Sequence, residues 1–288
     1  MTVLVIGEAL VDVVESSAHA GGSPFNVAVG LARLEVGTVL AAQIADDPYG
    51  NVLREELHLS DVDLDRLSPE PGRTSSAVVT LAADGSASYE FDLTWNPDEP
   101  PDPATFEAVH VGSLGTVLEP GAELVADLVV SADALGIPVS FDPNIRLTVE
   151  PDAGRWRQVF DRIWPYVSIL KLSDEDAAVL FPDEDPADLV RRLAADHGIV
   201  AVTLGGEGAV IAGGGGFATV PPADVRVVDT IGAGDSFMAA MLAWSATYDW
   251  PAGNDSTRPS CVIWRCTPPA RQRSPAHGQV PTRRRSAT

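Results

Sequence analysis

The chain has 288 residues, 45% of them hydrophobic, which is enough to bury the core of one large domain. Its formal net charge of −22 argues against nucleic acid as a partner, because phosphate backbones require a basic surface. No apolar run reaches the roughly 18–20 residues of a membrane span, and the apolar residues 2–6 lack the basic flank of a signal peptide. With only two cysteines, the chain is expected in a reducing cytoplasm, without a membrane partner.

The first elements of the chain are an apolar strand and an amphipathic helix. Residues 3–7 form a short apolar run that predicts a buried parallel strand. Apolar positions then predict a helix over 24–34, with Ser23 as its N-cap and Pro24 at its first position. A strand over 39–45, a helix over 49–57 and a β-hairpin over 76–92 follow.

From residue 108 onward, strands and helices alternate regularly. The predicted strands cover 109–111, 138–141, 169–171 and 199–204, and the predicted helices cover 121–135, 156–164, 174–180 and 186–195. This alternation is typical of an α/β fold with a mostly parallel sheet and helices on both faces. Ligands of such folds bind beyond the carboxyl ends of the strands.

The most specific motif is D-T-I-G-A-G-D-S-F at residues 229–237, between a short apolar strand and an alanine-rich helix. Backbone N–H groups at such a helix start form an anion hole, here at Gly232, Ala233 and Gly234. Asp235 follows at once and can accept a hydroxyl proton, which suits phosphoryl transfer to an alcohol. The alternative is a glycine-rich helix start with an ordinary capping Asp.

This motif resembles the signature of the ribokinase-like (pfkB) family of sugar and nucleoside kinases. The strings G-G-S-P-F-N-V-A at 21–28, D-P-N-I-R at 142–146 and V-T-L-G at 202–205 are similar to further family elements and follow in the family's order. The resemblance runs from about residue 2 to about residue 250. It implies a three-layer sandwich over residues 1–253, with a small β lid from segments about 8–20 and 72–95.

The resemblance also implies the substrates. An ATP-dependent transfer to a sugar hydroxyl is expected, with Mg²⁺ and with K⁺ as a further candidate ion. The D-P-N-I-R and G-G-S-P-F-N strings favour fructose. Ribose, 2-keto-3-deoxygluconate and a nucleoside are the alternative acceptors, and a sugar-binding homologue without catalysis is the alternative from another class. Because lids of this family often pair across a dimer, the 76–92 hairpin is a candidate dimer edge.

On the sugar side, the resemblance assigns six binding residues: Asp12, Gly21, Gly22, Asn26, Asn144 and Arg146. A carboxylate such as that of Asp12 can accept hydrogen bonds from two hydroxyls, and glycine permits close approach of the backbone. Alternatively, Asp12 is a solvated loop acid, and Arg146 pairs with a neighbouring acid.

On the nucleotide side, the resemblance assigns five residues: Lys171, Ser173, Thr203, Gly205 and Gly208. Asp176 is a candidate for Mg²⁺ through water, and Asp229 for a monovalent cation. The alternatives are a snorkelling lysine, a capping box formed by Ser173 and Asp176, and a plain hairpin turn over 203–208.

Two segments depart from the family pattern. Glu35 stands where the family usually has a glycine in a left-handed helix cap, at a cost of about 1 kcal/mol. Residues 254–288 hold 7 of the 19 basic side chains, 1 of the 41 acidic ones and both cysteines, Cys261 and Cys266. This tail is interpreted as a disordered basic segment or as a shifted reading frame. A back-translation of residues 273–282, read two bases later, permits I-T-C-A-R-T-G-A-N, which is close to the family's usual C-terminal sequence.

Overall fold

The structure is a computed structural model that describes residues 1–14, 17–70, 72–81, 87–196, 198–222 and 232–247. Its strands are β1 Thr2–Ile6, β2 Leu10–Val14, β3 Ser17–Gly21, β4 Gly37–Ala42, β5 Asp63–Arg66, β6 Ser75–Leu81, β7 Ala87–Asp92, β8 Ala108–Gly112, β9 Val139–Asp142, β10 Ile169–Ser173, β11 Ile199–Thr203, β12 Ala209–Gly213 and β13 Gly216–Val220. Its α-helices are α1 Ser23–Arg33, α2 Pro48–Leu59, α3 Gly121–Ala134, α4 Ala153–Ile163, α5 Asp174–Leu180, α6 Pro186–Asp196 and α7 Ala233–Thr247.

The large sheet has nine strands in the order β13-β12-β11-β10-β9-β8-β1-β4-β5. Only β12 and β13 at one edge run antiparallel to their neighbours; the other pairs are parallel. Because the chain proceeds from β1 first to β4 on one side and later to β8 on the other, the strand order reverses beside β1. Such a switch point is where open α/β sheets bind ligands.

Both faces of this sheet are covered, which explains the continuous apolar runs of its strands. On one face, side chains such as those of Val111, Phe141 and Leu172 pack with helices α3 to α6. On the other face, Val5 and Ile169 pack with α1, α2 and α7. The predicted α/β fold with a mostly parallel sheet and two helical layers is therefore confirmed.

The second sheet is a small one in the order β3-β2-β6-β7, which we call the lid. Its β6 and β7 are antiparallel and confirm the predicted hairpin. Strands β2 and β3 lie in the segment about 8–20 that the family resemblance assigns to the β lid, although the residue pattern alone does not predict them, and they place Asp12 directly opposite His19. The lid thus carries a predicted sugar-binding residue.

The start of α1 differs from the prediction. Gly22, with φ at 99°, is the N-cap, and no side chain caps the helix. The assignment of Ser23 as N-cap is wrong because its hydroxyl is used in a contact with another helix, described below. At the other end of α1, Glu35 has a φ of 64°, so the predicted left-handed cap with a non-glycine residue is confirmed.

Three predictions fall outside the described residues: the short strand before the 229–237 motif, Asp229, and the tail at 254–288. The boundary at residue 253 therefore stays a prediction. Among the helices of the described ranges, none combines the length and apolar character that crossing a bilayer requires.

Candidate active site

Asp235 lies in the first turn of α7 and is buried, with 6% of its surface exposed. Its Oδ1 accepts hydrogen bonds from Ser23 Oγ at 2.7 Å and from Asn144 Nδ2 at 3.3 Å. Its Oδ2 accepts one from Asn26 Nδ2 at 2.8 Å. The start of α1, the loop after β9 and the start of α7 therefore meet at one carboxylate.

Among the described residues, these contacts leave one position on the Asp235 carboxylate open to a further hydrogen-bond donor. A carboxylate has about four lone-pair sites, and Ser23, Asn26 and Asn144 occupy three of them. The remaining site is on Oδ2, which lies on the side of Gly232: a Cβ built on that glycine would be 3.8 Å from Oδ2. The geometry therefore suits a base that receives a hydroxyl proton beside the helix start.

The helix start itself is formed by the predicted anion-hole residues. Gly232 has a φ of 71°, in the left-handed region that favours glycine. Its carbonyl accepts the first helical hydrogen bond, from Ser236 N at 2.8 Å. The N–H groups of the first turn have no partner within the helix, and the helix dipole places positive charge there. An anion is stabilised at such a position.

Lys171 does not reach toward solvent. Its side chain is 3% exposed, and its Nζ lies 3.0 Å from Asp142 Oδ2, whose side chain is fully buried. The interpretation as a snorkelling lysine is therefore wrong, and the direct nucleotide contact predicted for it stays a prediction. Asp142 is the last residue of β9 and Lys171 is the middle residue of β10, and the pair lies next to the start of α7.

On the sugar side, two glycines permit close packing beneath the lid. A Cβ at Gly21 would be 2.4 Å from Asp12 Oδ2, and one at Gly22 would be 2.8 Å from the carbonyl oxygen of Glu8. Asp12 is half-buried, and burial raises its pKa, while His19 and Arg146 act in the opposite direction. Asp12 is therefore not a fully solvated loop acid.

Glu8, at the end of β1, is buried with 3% exposure. Its Oε2 accepts a hydrogen bond from Gly115 N at 2.8 Å, across the switch point between β1 and β8. Burial raises the pKa of Glu8 to about 7, and the hydrogen bonds from Ser113 and Gly115 only partly oppose it. Glu8 thus links the chain after β1 to the segment after β8, and its raised pKa brings its titration close to neutral pH.

Asp176 fastens the loop that carries Asn144. Its Oδ1 accepts a hydrogen bond from Ile145 N at 2.7 Å, and its Oδ2 accepts one from Ser173 N at 2.8 Å. Ser173 Oγ in turn accepts one from Asp176 N at 3.0 Å, which completes the capping box at the start of α5. Asn144 itself has a φ of 41°, so this clamp holds a strained residue against Asp235.

Arg146 is exposed, and its Nη1 donates a hydrogen bond to the neighbouring Ile145 carbonyl at 3.5 Å. No salt bridge forms between Arg146 and an acid of the described ranges. The guanidinium is therefore available to an anionic or hydroxylated ligand near Asp12.

The predicted nucleotide residues Thr203, Gly205 and Gly208 lie where β11 turns into β12. Gly205 and Gly208 have φ values of 53° and 96°, and a Cβ at Gly208 would be 2.0 Å from the Val220 carbonyl oxygen. The turn of an antiparallel hairpin therefore explains both glycines. Their contact with a nucleotide stays a prediction.

Sequence reasoning missed Ser23 and gave no role to Glu8 or Asp142. Ser23 precedes a proline at a helix start, a pattern that also suits a cap. Its contact with Asp235 spans 212 residues of sequence, and only the packing of α1 against α7 brings the two together. A signal for Glu8 was its position directly after a buried strand, at the ligand edge of the sheet.

The large sheet, the lid and the carboxylate at a helix start define a class: α/β enzymes that transfer a phosphoryl group to a hydroxyl. The sequence pattern of the pfkB family carbohydrate kinases matches residues 3–256, and the chain belongs to that family. A fructokinase from Klebsiella pneumoniae is 32% identical over 273 residues, which cover 90% of this chain and 89% of the relative. A fructokinase from Salmonella typhimurium is 30% identical, with 91% and 90% covered.

Solved structures agree with this assignment. The apo fructokinase of Vibrio cholerae O395 superposes with a TM-score of 0.73 at 27% identity, covering 85% of this chain and 89% of that one. The same protein with fructose, ADP and a calcium ion bound superposes with a TM-score of 0.71 at 27% identity, covering 85% and 84%.

Proposed function

We propose that this chain transfers the γ-phosphate of ATP to a hydroxyl of fructose. The observation that carries the proposal is the carboxylate of Asp235, oriented by Ser23, Asn26 and Asn144 and left with one lone pair beside an anion hole. The fructose and ADP bound by the similar Vibrio cholerae fructokinase support this choice of substrates.

In the proposed reaction, the sugar hydroxyl oxygen attacks the γ-phosphorus as its proton passes to Asp235 Oδ2. The bond between the γ-phosphorus and the oxygen shared with the β-phosphate breaks, and ADP leaves. The backbone N–H groups of Gly232, Ala233 and Gly234 stabilise the charge on the transferring group. Because the attacking and leaving oxygens must be in line, catalysis depends mainly on positioning.

The two substrates are assigned to opposite sides of Asp235. We assign the sugar to Asp12, Gly21, Gly22, Asn26, Asn144 and Arg146. We assign the nucleotide to Ser173, Thr203, Gly205 and Gly208. Asp12 and Arg146 bring opposite charges to the sugar side, which suits a neutral polyol with several hydroxyls.

A bound Mg²⁺ would neutralise charge on the β- and γ-phosphates. Within the described ranges no three acidic or histidine side chains form a metal-binding group, so Asp176 would be the single carboxylate for such an ion, with water and phosphate oxygens completing its coordination. Asp176, whose oxygens each accept a backbone N–H, would hold it through water.

We also propose that K⁺ binds near Asp229, that the chain dimerises through the lid and that it is located in the cytoplasm.

A second candidate is a homologue that binds sugar without phosphorylating it. Residues 254–288 favour this second candidate. They are basic, whereas the rest of the chain is acidic, and their sequence departs from the family pattern. Calorimetry with fructose and a coupled assay for ADP separate the two. Fructose binding together with ADP release supports the kinase, whereas fructose binding without ADP release supports the second candidate.

The acceptor is tested in the same assay with fructose, ribose, 2-keto-3-deoxygluconate and adenosine at equal concentrations. We expect the largest kcat/KM with fructose. A larger value with another acceptor would replace fructose in the proposal and leave the phosphoryl transfer intact.

A further inference from the structure

The starting point is a buried cation beside the anion hole that has one partner among the residues that the structure describes. Lys171 is the only lysine of the chain. It ends 3.0 Å from Asp142 Oδ2, while the second oxygen of that carboxylate, Oδ1, is buried and has no hydrogen-bond partner in the part of the chain that the structure describes. An ammonium has three donors, and Asp142 engages one of them.

The charges around Lys171 keep it protonated. Burial alone would lower its pKa, but the carboxylates of Asp142, Asp176 and Asp235 together raise it. For the carboxyl group of Asp142, burial raises the pKa, whereas the charge of Lys171 lowers it. We take the pair as charged, because the lysine faces several carboxylates at once and the 3.0 Å separation is that of an ion pair.

The ammonium also lies against the helix start. A Cβ built on Gly234 would be 2.8 Å from Lys171 Nζ and 3.7 Å from its Cε. A side chain at position 234 would therefore displace the ammonium. The φ of Gly234 lies outside the left-handed region, so its need for glycine arises from this close approach and not from its backbone conformation.

We propose that Lys171 is a positioning residue of the reaction, whose ammonium balances the carboxylates beneath α7 so that the transferring phosphate can enter the anion hole. The proposal rests on the proposed function for the identity of that anion. Without Lys171, no cationic side chain of the described residues would lie among Asp142, Asp176 and Asp235 when the polyphosphate enters. His110, the other buried basic group near Lys171, does not replace it, because burial and Lys171 lower its pKa to about 3.

The competing explanation is an ion pair that only holds β9 and β10 together. Two variants separate these roles. Lys171→Met leaves the buried Asp142 without its cation, so it disturbs folding and charge at once. The double variant Asp142→Asn/Lys171→Met replaces the pair by neutral side chains of similar size and removes only the charge.

We expect the double variant to regain the urea midpoint that the single variant loses, while its kcat stays about 100-fold below wild type, as for the loss of one anion-hole donor. The KM for fructose should be unchanged, since the sugar contacts are elsewhere. A double variant with wild-type kcat would overturn the proposal and leave Lys171 a structural residue.

A second measurement uses the unmodified chain and does not depend on how a variant folds. Because there is one lysine, a chain labelled with ¹³C at lysine Cε gives one resonance that needs no assignment. We expect this resonance to shift when a non-hydrolysable ATP analogue with Mg²⁺ and fructose is added, and not with sodium chloride at the same ionic strength. A resonance that the analogue leaves unmoved would overturn the proposal.

The two proposals fail separately. If the chain releases no ADP but the lysine resonance responds to the analogue, the proposed function fails while the link between Lys171 and the phosphate site remains. If ADP is released but the resonance is unmoved, only the role of Lys171 fails.

Discussion

At the residue scale, the site depends on how one carboxylate is held. Ser23 and Asn26 come from α1, and Asn144 comes from a strained position after β9. These donors fix the orientation of Asp235 and leave a single direction for a fourth. Orientation matters because a misplacement of about 1 Å can cost about 100-fold in rate.

Ser23→Ala removes the shortest of these contacts. A hydrogen bond to a charged group contributes about 1.5–3 kcal/mol, so we expect kcat to fall about 10-fold or more, with a smaller change in the KM for fructose. Steady-state kinetics of ADP release measures both parameters. Ser131→Ala, on the exposed side of α3, is the matched control. An unchanged kcat in Ser23→Ala would show that this contact does not position Asp235.

Glu8 gives a prediction about stability and pH. Its pKa is raised from 4.5 to about 7 in the folded chain, so the folded state binds a proton that the unfolded state releases between these values. The contribution of this proton to the free energy of unfolding is fully present below pH 4.5. It is lost as pH rises through 7, and the loss is at most about 3 kcal/mol. We expect the free energy of unfolding to fall less over this range in Glu8→Gln than in wild type.

Urea unfolding at pH 5, 6, 7 and 8 measures this difference. The control is Glu55→Gln, at an exposed position of α2, whose curve should run parallel to that of wild type. A Glu8→Gln curve parallel to that of wild type as well would contradict the assignment of a raised pKa to Glu8.

At the element scale, the close packing of α1 against α7 brings the Asp235 site together. The helices approach at Gly30, where a Cβ would be only 2.7 Å from Ala239 Cβ. Both helices begin at the ligand edge of the sheet, so this packing places Ser23 and Asn26 beside Asp235.

The helix ends give a second prediction. Helices α1 and α2 end in the same motif, with Val36 N bonded to Leu31 O and Val62 N bonded to Leu57 O. Glu35 and Asp61 occupy its left-handed position, with φ values of 64° and 60°.

We expect Glu35→Gly to raise the free energy of unfolding by about 1 kcal/mol. Asp61→Gly should raise it less, because aspartate tolerates the left-handed region better than glutamate. Thermal or urea unfolding of the two variants makes the comparison. A larger gain from Asp61→Gly would contradict this account of the two caps.

At the scale of the whole molecule, the sequence predicts the parallel sheet well, because buried strands and amphipathic helices have distinct periodicities. Helix α5 lies at the predicted residues 174–180. Strand β3 was not predicted because S-A-H-A-G carries no β-branched residue. The β12–β13 hairpin was also missed, although Gly214 and Gly215, both at positive φ, are a hairpin signal.

Only those residues of the site that belong to sequence motifs were predicted. The glycines and Asp235 stand in recognisable strings, whereas the contacts of Ser23, Glu8 and Asp142 arise from long-range packing that periodicity does not encode. Contacts such as Ser23–Asp235 depend on which helices share a face of the sheet, and the order of elements leaves that open.

The most direct test of the central claim is the rate of ADP release, at saturating ATP, Mg²⁺ and fructose, by the 288-residue chain and its Asp235→Asn variant. Because a general base contributes about 10²–10⁴-fold, we expect kcat to fall by that factor while circular dichroism shows the variant to be folded. Asp161→Asn, at an exposed position of α4, should keep the wild-type rate. An Asp235→Asn variant that turns over at the rate of the unmodified chain would contradict the claim that Asp235 accepts the sugar proton.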